Sequence, residues 1–284
     1  MICVNCKMEM RPYFTKKSFQ IARCPSCKLM AVENVPTDLR PYYSEGYFTG
    51  DVTLDGYIDY DLDKEVTKKT YIDYLDLLGK YIQKQSQISM FEVGCATGFF
   101  IDLARQRGWQ TEGIDISEYA VKKAREKGLM ATTTTLESYQ SAKKFDVVAM
   151  QDLIEHVKDP VDVISRAKNL LAENGLLLFT TPDAGSLWAR IWNKKWHAFV
   201  PPQHLFYFSA KSLGSILKKN GFEVVHMAHH GKWFAIPYII RLLYSWTGLK
   251  FFFKLAEWSA KSFLRNLAIP INVRDTLVLV ARKI

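Results

Sequence analysis

The stretch Ile88-Ser-Met-Phe-Glu-Val-Gly-Cys-Ala-Thr-Gly-Phe-Phe100 carries the strongest structural signal in this chain. Its apolar run ending at Val93 predicts a buried parallel strand, and Gly94 and Gly98 permit a sharp turn with close backbone approach to a ligand. A helix beginning near Phe99 would direct its unpaired N–H groups back at that ligand. The stretch therefore predicts a strand, a ligand-binding turn and a helix.

The turn differs from the dinucleotide fingerprint Gly-x-Gly-x-x-Gly, because Ala96 stands at a position where that pattern needs glycine. Glu92 would repel a pyrophosphate and attract an ammonium group. Glu92, Gly94 and Gly98 give Glu-x-Gly-x-x-x-Gly, which resembles the first motif of class I S-adenosylmethionine-dependent methyltransferases. In that family the loop holds the methionine part of the cofactor, so the resemblance implies cofactor contacts here, including Cys95 and Ala96.

Two further strand ends extend the resemblance. The second predicted strand ends at Asp115, twenty-one residues beyond Gly94, a spacing at which a carboxylate can bind two ribose hydroxyls. The resemblance implies ribose binding there, next to Ile116. Many relatives carry an aspartate beside the adenine at the end of the third strand, whereas this chain has Leu136 there, so adenine contact is expected through backbone groups near Leu136.

The fourth predicted strand, residues 145–151, leads into a polar segment ending in Glu155 and His156. This segment resembles the post-strand motif of a bacterial methyltransferase group that carries Glu-His-Val followed by Asp-Pro. It lies where an open α/β sheet places its ligands. Gln151 and Asp152 are expected to border the transferred methyl group, and His156, aided by Glu155, is the candidate base.

The same segment raises the question of a catalytic metal. Asp152, Glu155 and His156 are spaced i, i+3 and i+4, which would place them on one face of a helical turn. Ubiquinone-pathway O-methyltransferases and small-RNA 2′-O-methyltransferases are similar here and hold a divalent metal with such a cluster. The small-RNA enzymes add a later histidine, for which His204 is the candidate. Many relatives with Glu-His-Val have no known metal, so a metal-free site is favoured.

Four of the five cysteines form two Cys-x-x-Cys pairs, Cys3 with Cys6 and Cys24 with Cys27. This spacing predicts a four-thiolate structural zinc site, because each pair forms one knuckle and the segment has little apolar material of its own. Four thiolates leave no open coordination position, which argues against a catalytic zinc.

The fold prediction is an α/β protein with a doubly wound, seven-stranded Rossmann-like methyltransferase sheet. The resemblance implies that the final strand is antiparallel. The predicted parts are a zinc-ribbon module at 1–38, a tyrosine-rich connector at 39–64 and a methyltransferase domain at 65–284, with an amphipathic helical insertion at 230–271.

Charge is uneven along the chain, whose net charge is +9. Residues 228–284 carry nine Lys or Arg against two acids, and residues 1–40 carry seven against three. The apolar stretch 233–265 is interrupted too often by charges to span a bilayer. It has the pattern of a helix lying in a membrane interface, of a lid over an apolar acceptor, or of a packed insertion. The aromatic stretch 183–208 is expected to form a wall of the acceptor site.

The favoured function is S-adenosylmethionine-dependent O-methylation of a small molecule, a sugar or a lipid-linked glycan. The alternatives are carbon methylation of a nucleotide sugar, methylation of RNA, and a zinc-ribbon interaction protein with an inactive cofactor fold. RNA is disfavoured because no interleaved basic and aromatic tract for base stacking is evident. The N-terminus lacks a signal peptide pattern, so a cytoplasmic location is expected, with peripheral contact at the inner membrane face as an option.

Overall fold

The computed structural model describes residues 1–37, 42, 45–49, 60–83 and 86–284. The strands are β1 Arg11–Lys16, β2 Phe19–Arg23, β3 Met30–Val32, β4 Ser89–Val93, β5 Gln110–Asp115, β6 Ala131–Thr133, β7 Phe145–Gln151, β8 Leu171–Pro182, β9 Phe206–Tyr207, β10 Phe222–His229, β11 Lys232–Ala235, β12 Ala268–Ile271 and β13 Thr276–Lys283. The helices are α1 Glu45–Thr49, α2 Tyr60–Val66, α3 Lys68–Tyr81, α4 Phe99–Gln106, α5 Glu118–Glu126, α6 Pro160–Leu170, α7 Leu187–Trp192, α8 Ala210–Lys219, α9 Ile236–Thr247 and α10 Lys250–Ala260.

The main sheet has seven strands in the order β10-β13-β8-β7-β4-β5-β6. Strands β6, β5, β4, β7 and β8 are mutually parallel, and β13 is antiparallel to both of its neighbours, β8 and β10. This arrangement confirms the predicted methyltransferase sheet and its antiparallel final strand. The central strands are apolar along their length because helices cover both faces of the sheet.

Local signals explain where the crossover helices begin. Helix α5 begins after Ser117, whose hydroxyl accepts a hydrogen bond from the Ala120 backbone N–H at 3.4 Å. Helix α6 begins after Asp159, whose carboxylate accepts from two backbone N–H groups at 3.0 Å. These caps satisfy donors that a helix otherwise leaves unpaired. Because β4, β5, β7 and β8 are parallel, the loops that follow them lie together at the carboxyl edge of the sheet.

The cysteine-bearing N-terminus is built into the body of the protein. Strands β1, β2 and β3 form a second sheet, which β9 extends through the pairs Met30 with Tyr207 and Ala31 with Phe206. Cys24 and Leu29 are fully buried in the same hydrophobic cluster as β7 and β8. The predicted ribbon therefore shares both a sheet and a core with the predicted methyltransferase domain.

Trp196, one of three tryptophans in the aromatic stretch 183–208, does not face the predicted acceptor site. Trp196 is fully buried and packs with Phe199 against Phe14 and Ile21 of the ribbon. Its ring N–H donates to the Asp275 carboxylate at 3.0 Å. Trp196 instead covers the apolar face of the ribbon, whose residues are distant from it in sequence. The acceptor wall stays a prediction for the rest of the stretch.

The predicted insertion 230–271 is a helical hairpin on a short β stalk. Strands β11 and β12 pair antiparallel, and α9 and α10 lie between them in the chain. The stalk is tied to the domain because the Trp233 backbone N–H donates to the Thr70 hydroxyl at 3.0 Å. Among the helices that the structure describes, none combines the length and apolar character needed to cross a membrane.

The predicted connector 39–64 lies largely outside the described residues. Its described parts are Tyr42, α1 and the beginning of α2. Phe48 on α1 is buried against Ala96 and Ala120, so this aromatic side chain packs on the turn after β4. This contact places α1 beside the glycine turn.

Candidate functional site

The turn between β4 and α4 is held in a conformation that requires its glycines. Gly94 and Gly98 have φ values of +74° and +82°. A Cβ on Gly98 would lie 2.4 Å from Leu129 Cδ1, and one on Gly94 would lie 2.9 Å from Leu153 Cδ1. The backbone N–H groups of Gly94 and Cys95 both donate to the Ile114 carbonyl, at 2.8 and 2.9 Å. The turn is therefore fixed against β5, as the sequence predicted for a ligand cradle.

Asp115 joins this turn to the beginning of α5. Its carboxylate accepts from the Ala96 backbone N–H at 2.9 Å and from the Ser117 backbone N–H at 2.8 Å. Burial raises the pKa of Asp115, and these hydrogen bonds oppose that rise. Ile116 follows it and is half-buried, and Leu136 after β6 is buried in the core. Any contact of Leu136 with adenine would thus use its backbone.

Glu92 is a buried carboxylate beneath the turn, with only 4% of its surface exposed. Its Oε1 accepts from Gln151 Nε2 at 3.1 Å, while its Oε2 has no hydrogen-bond partner among the described residues. Burial raises the pKa of Glu92 to about 8. A buried carboxylate oxygen that lacks a hydrogen-bond partner among the described residues can pair with a cationic donor, such as the ammonium group of S-adenosylmethionine.

Three more residues complete this side of the site, and the sequence reasoning missed them. Thr97 in the turn donates its hydroxyl hydrogen to the Asp61 carboxylate of α2. Lys127, at the end of α5, donates to the same carboxylate at 3.0 Å and to the Thr97 carbonyl at 3.1 Å. These contacts tie α2 to the turn. Asp61 lies thirty-six residues before Thr97, so no short motif could have revealed them.

The segment after β7 brings Glu155 and His156 together with His204. One ligand atom from each lies within 4.8 Å of the others. His156 Nδ1 lies 2.9 Å from the Gln203 carbonyl, and His204 Nδ1 lies 2.8 Å from the Ala198 carbonyl. Because a carbonyl oxygen only accepts, each Nδ1 carries the proton and each Nε2 is the acceptor of its ring. The expected pairing of His204 with the Glu-His motif is thus present.

The predicted helical turn at this segment is wrong. Asp152 has φ +48°, and its backbone N–H donates to the Thr180 carbonyl at 2.9 Å. The Thr180 hydroxyl donates to the Asp152 carboxylate, and the Thr181 hydroxyl donates to the Glu155 carboxylate, each at 3.0 Å. Strand β8 thereby separates the two acids. Asp152 consequently lies outside the group formed by Glu155, His156 and His204.

The ribbon reaches this cluster through the backbone. The N–H groups of Leu205 and Phe206 donate to the Glu155 carbonyl at 2.7 and 3.0 Å. The Val32 N–H donates to the Leu205 carbonyl at 2.9 Å.

Burial lowers the pKa of His156 to about 4 and lowers that of His204 well below its usual value. Both rings are therefore uncharged at neutral pH.

A pair of carboxylate–imidazole contacts lies at the carboxyl ends of β8 and β10, and the sequence reasoning did not find it. His229 Nε2 lies 2.7 Å from the buried Asp183 carboxylate, and His197 Nε2 lies 3.6 Å from the buried Asp275 carboxylate. The Asp183 N–H also donates to the Asp275 carbonyl at 2.7 Å. His229 has no acidic residue within five positions of it in the sequence. Its partner Asp183 is forty-six residues away and becomes a neighbour only through the sheet.

The four N-terminal cysteine sulfurs form one cluster at the edge of the ribbon. Cys3 Sγ lies 3.5 Å from Cys27 Sγ, and Cys6 Sγ lies 3.2 Å from Cys24 Sγ and 3.9 Å from Cys27 Sγ. Sulfurs at about 2.3 Å around a tetrahedral zinc ion lie about 3.8 Å apart. The cluster fits a closed structural zinc site. Cys95, the fifth cysteine, is buried elsewhere, within the glycine turn.

The fold and this site together define a class I S-adenosylmethionine-dependent methyltransferase. A sequence profile of the methyltransferase domain family matches residues 63–227, which is more than half of the chain. The chain belongs to this methyltransferase family.

Among curated proteins, the chain is similar to the ubiquinone biosynthesis O-methyltransferases of Actinobacillus pleuropneumoniae serotype 5b and of Histophilus somni. The first is 33% identical over 117 residues and the second 32% identical over 118 residues. Each match covers 36% of this chain and 50% of the relative. The chain thus matches about half the length of these relatives.

Solved structures agree on the fold. A magnesium protoporphyrin IX methyltransferase from Synechocystis, solved with bound S-adenosylhomocysteine, has a TM-score of 0.52 at 16% identity, over 81% of this chain and 90% of that chain. An S-adenosylmethionine-dependent methyltransferase from Archaeoglobus fulgidus has a TM-score of 0.53 at 18% identity, over 87% of this chain and all of that one.

Proposed function

We propose that this protein transfers the methyl group of S-adenosylmethionine to an oxygen atom of a small-molecule acceptor, with sugars and lipid-linked glycans as the preferred class. The observation that carries the proposal is the buried Glu92 carboxylate below a glycine turn that Asp115 braces. The names of the curated relatives support oxygen as the acceptor atom. The basic, aromatic insertion at 230–271 is the feature that favours a lipid-linked acceptor.

The cofactor-binding roles follow from the contacts. S-adenosylmethionine, when bound, supplies a methyl group activated by its sulfonium. Glu92 would hold the ammonium end, directly or through water, the backbone from Gly94 to Gly98 would line the methionine part, and Asp115 would accept hydrogen bonds from the ribose hydroxyls. Gln151 holds the Glu92 carboxylate in place. Asp152 would border the methyl-transfer position at the carboxyl edge.

The chain's remaining task is to position the acceptor hydroxyl in line with the methyl group and to remove its proton. His156 is the proposed base, with Glu155 and His204 as its neighbours. The Gln203 carbonyl fixes the tautomer that presents Nε2 as the proton acceptor. His229, oriented by the buried Asp183 carboxylate, would contact the acceptor further along the same edge.

A divalent cation bound by Glu155, His156 and His204 is the alternative to proton removal by His156 alone. Both imidazoles donate their Nδ1 hydrogen to a backbone carbonyl, which is how proteins fix metal-binding histidines. Such a cation would lower the pKa of the acceptor hydroxyl. The His204→Ala variant separates the two arrangements. If a metal is used, added Mg²⁺ should stimulate the unmodified protein but not the variant. If no metal is used, Mg²⁺ should stimulate neither.

The proposal is tested by incubating the protein with S-adenosylmethionine labelled in the methyl group and a fractionated bacterial extract. Label in the lipid or glycan fraction, released as an O-methyl group, is the expected result. Asp115→Asn is the matched control and, at a cofactor concentration near the unmodified protein's Kd, should incorporate several-fold less label. Label in RNA, or a methyl group bonded to carbon, would refute the proposed acceptor while keeping the methyltransferase class.

A further inference from the structure

The outward face of helix α10 is unusually apolar for a surface helix. Phe251 is 67% exposed and Trp258 is 58% exposed. They are seven residues apart, so they project from the same side of the helix. On the opposite side Ala256 and Ser259 are buried against the hairpin. The larger apolar side chains of this helix therefore include two that face away from the protein.

The exposed apolar surface continues on both sides of α10. Leu249 precedes the helix and is 57% exposed, and Phe263 follows it and is 73% exposed. Leu267 and Ile269, at the start of the return strand β12, are also exposed. We call these residues together with Phe251 and Trp258 the hairpin face. Large exposed apolar surfaces of this kind mark contact sites for a partner or a membrane.

Cations surround the hairpin face. Lys250, Lys254, Lys261 and Arg265 are all exposed, with Glu257 as the acid among them. None of the four cations forms an ion pair with a residue that the structure describes. Their positive charge therefore acts outward, on whatever covers the face.

We propose that the hairpin face binds an anionic lipid bilayer, with α10 lying flat in the interface. Phe251 and Trp258 would enter the boundary between headgroups and acyl chains, where aromatic rings are favoured. The lysines beside them are long enough to extend to the lipid phosphates while their methylene chains stay in apolar surroundings. A second copy of this chain fits less well, because pairing two hairpin faces would bring two sets of four cations together.

The β stalk connects the hairpin face to the carboxyl edge of the sheet, where the candidate site lies. Strand β11 follows β10 closely, and β12 leads into β13, so the hairpin is joined to the two sheet strands nearest Asp183 and His229. A bilayer under the hairpin would place the carboxyl edge of the sheet near the membrane surface. The inference goes beyond the proposed methyl transfer and does not depend on it.

Vesicle sedimentation tests the proposal with the full chain. Vesicles of equal parts phosphatidylglycerol and phosphatidylcholine should bind the protein, and vesicles of phosphatidylcholine alone should bind it far more weakly. The Phe251→Ser and Trp258→Ser double variant should bind about a hundredfold more weakly, because two ring insertions are lost. Each of Lys250→Gln and Lys254→Gln should weaken binding about fivefold.

The matched control removes two exposed apolar side chains elsewhere. Leu187 and Ile191 on α7 are 72% and 65% exposed, and their double serine variant should bind vesicles as the unmodified protein does. All variants should keep the unmodified melting temperature, since the altered side chains are on the surface. Absence of binding to phosphatidylglycerol vesicles would overturn the proposal. So would a concentration-dependent dimer in sedimentation velocity that the Phe251→Ser and Trp258→Ser variant abolishes.

Discussion

Replacing Glu92 with glutamine should change how the stability of the protein depends on pH. The glutamine oxygen can still accept from Gln151, so the packing and one hydrogen bond are kept. What disappears is a buried carboxyl group whose pKa is raised by burial from 4.5 to about 8. The substitution therefore isolates the cost of ionising a carboxylate that has no bound cation.

The sign of the effect follows from proton binding. Between pH 4.5 and about 8 the unfolded chain has lost the Glu92 proton and the folded protein has kept it. Because the folded state then binds more protons, the free energy of unfolding falls as pH rises, by about 1.4 kcal/mol per pH unit. Relative to Glu92→Gln, the unmodified protein should lose about 3 kcal/mol between pH 5 and pH 7.5, and the difference should level off above about pH 8.

Urea unfolding of both proteins at half-unit pH intervals, with zinc present throughout, measures this difference. Glu223→Gln, which alters an exposed glutamate, controls for the change in net charge and should follow the unmodified protein. If the stability difference between Glu92→Gln and the unmodified protein is independent of pH from 5 to 7.5, the Glu92 carboxyl is not held protonated by burial. Glu92 would then not be the partner of the cofactor's ammonium group.

The cofactor itself should bind more tightly as pH rises from 6 to 7.5, because Glu92 must release its proton to pair with an ammonium group; calorimetry in buffers of different ionisation enthalpy would show the released proton. Gly98→Ala should destabilise the fold by about 2 kcal/mol or more in urea, because its backbone has φ +82° and the added methyl would lie 2.4 Å from Leu129 Cδ1. Cys24→Ser should reduce the zinc content below one ion per chain, measured with a colorimetric chelator, and should lower the melting temperature. Asp183→Asn should reduce turnover about tenfold or more while leaving cofactor affinity unchanged, because it removes only the carboxylate that orients His229.

The sequence predicted well wherever the signal is local. The apolar run, the glycines and the following helix placed β4, its turn and α4 correctly. The strand 145–151 matches β7 residue for residue. These features depend on side-chain type and short-range backbone geometry, which a single sequence displays.

Contacts between distant residues were not predictable in the same way. Strand β9 has only two residues and forms because the edge of β3 is available to it. Asp61 reaches Thr97, and Asp183 reaches His229, only after the sheet has assembled. The helical turn expected at Asp152 failed because hydrogen bonds to Thr180 offered the backbone a better alternative.

In the hairpin, the presence of helices was predictable from the sequence, and the face that α10 exposes was not. Its amphipathic pattern predicted helices, and α9 and α10 are present. In the structure Phe251 and Trp258 are exposed together with Lys250 and Lys254. They are exposed because the small residues Ala256 and Ser259 are the buried ones, an orientation set by the packing of α10 against α9. The predicted cytoplasmic location stays a prediction.

The most direct test of the central claim is a calorimetric titration of the zinc-loaded protein with S-adenosylmethionine at pH 7.5. The account predicts saturable binding of one cofactor per chain, weakened at least tenfold in both Glu92→Gln and Asp115→Asn, with both variants still folded. A folded, unmodified protein that produces no binding heat would contradict it, and so would cofactor affinity that neither substitution changes.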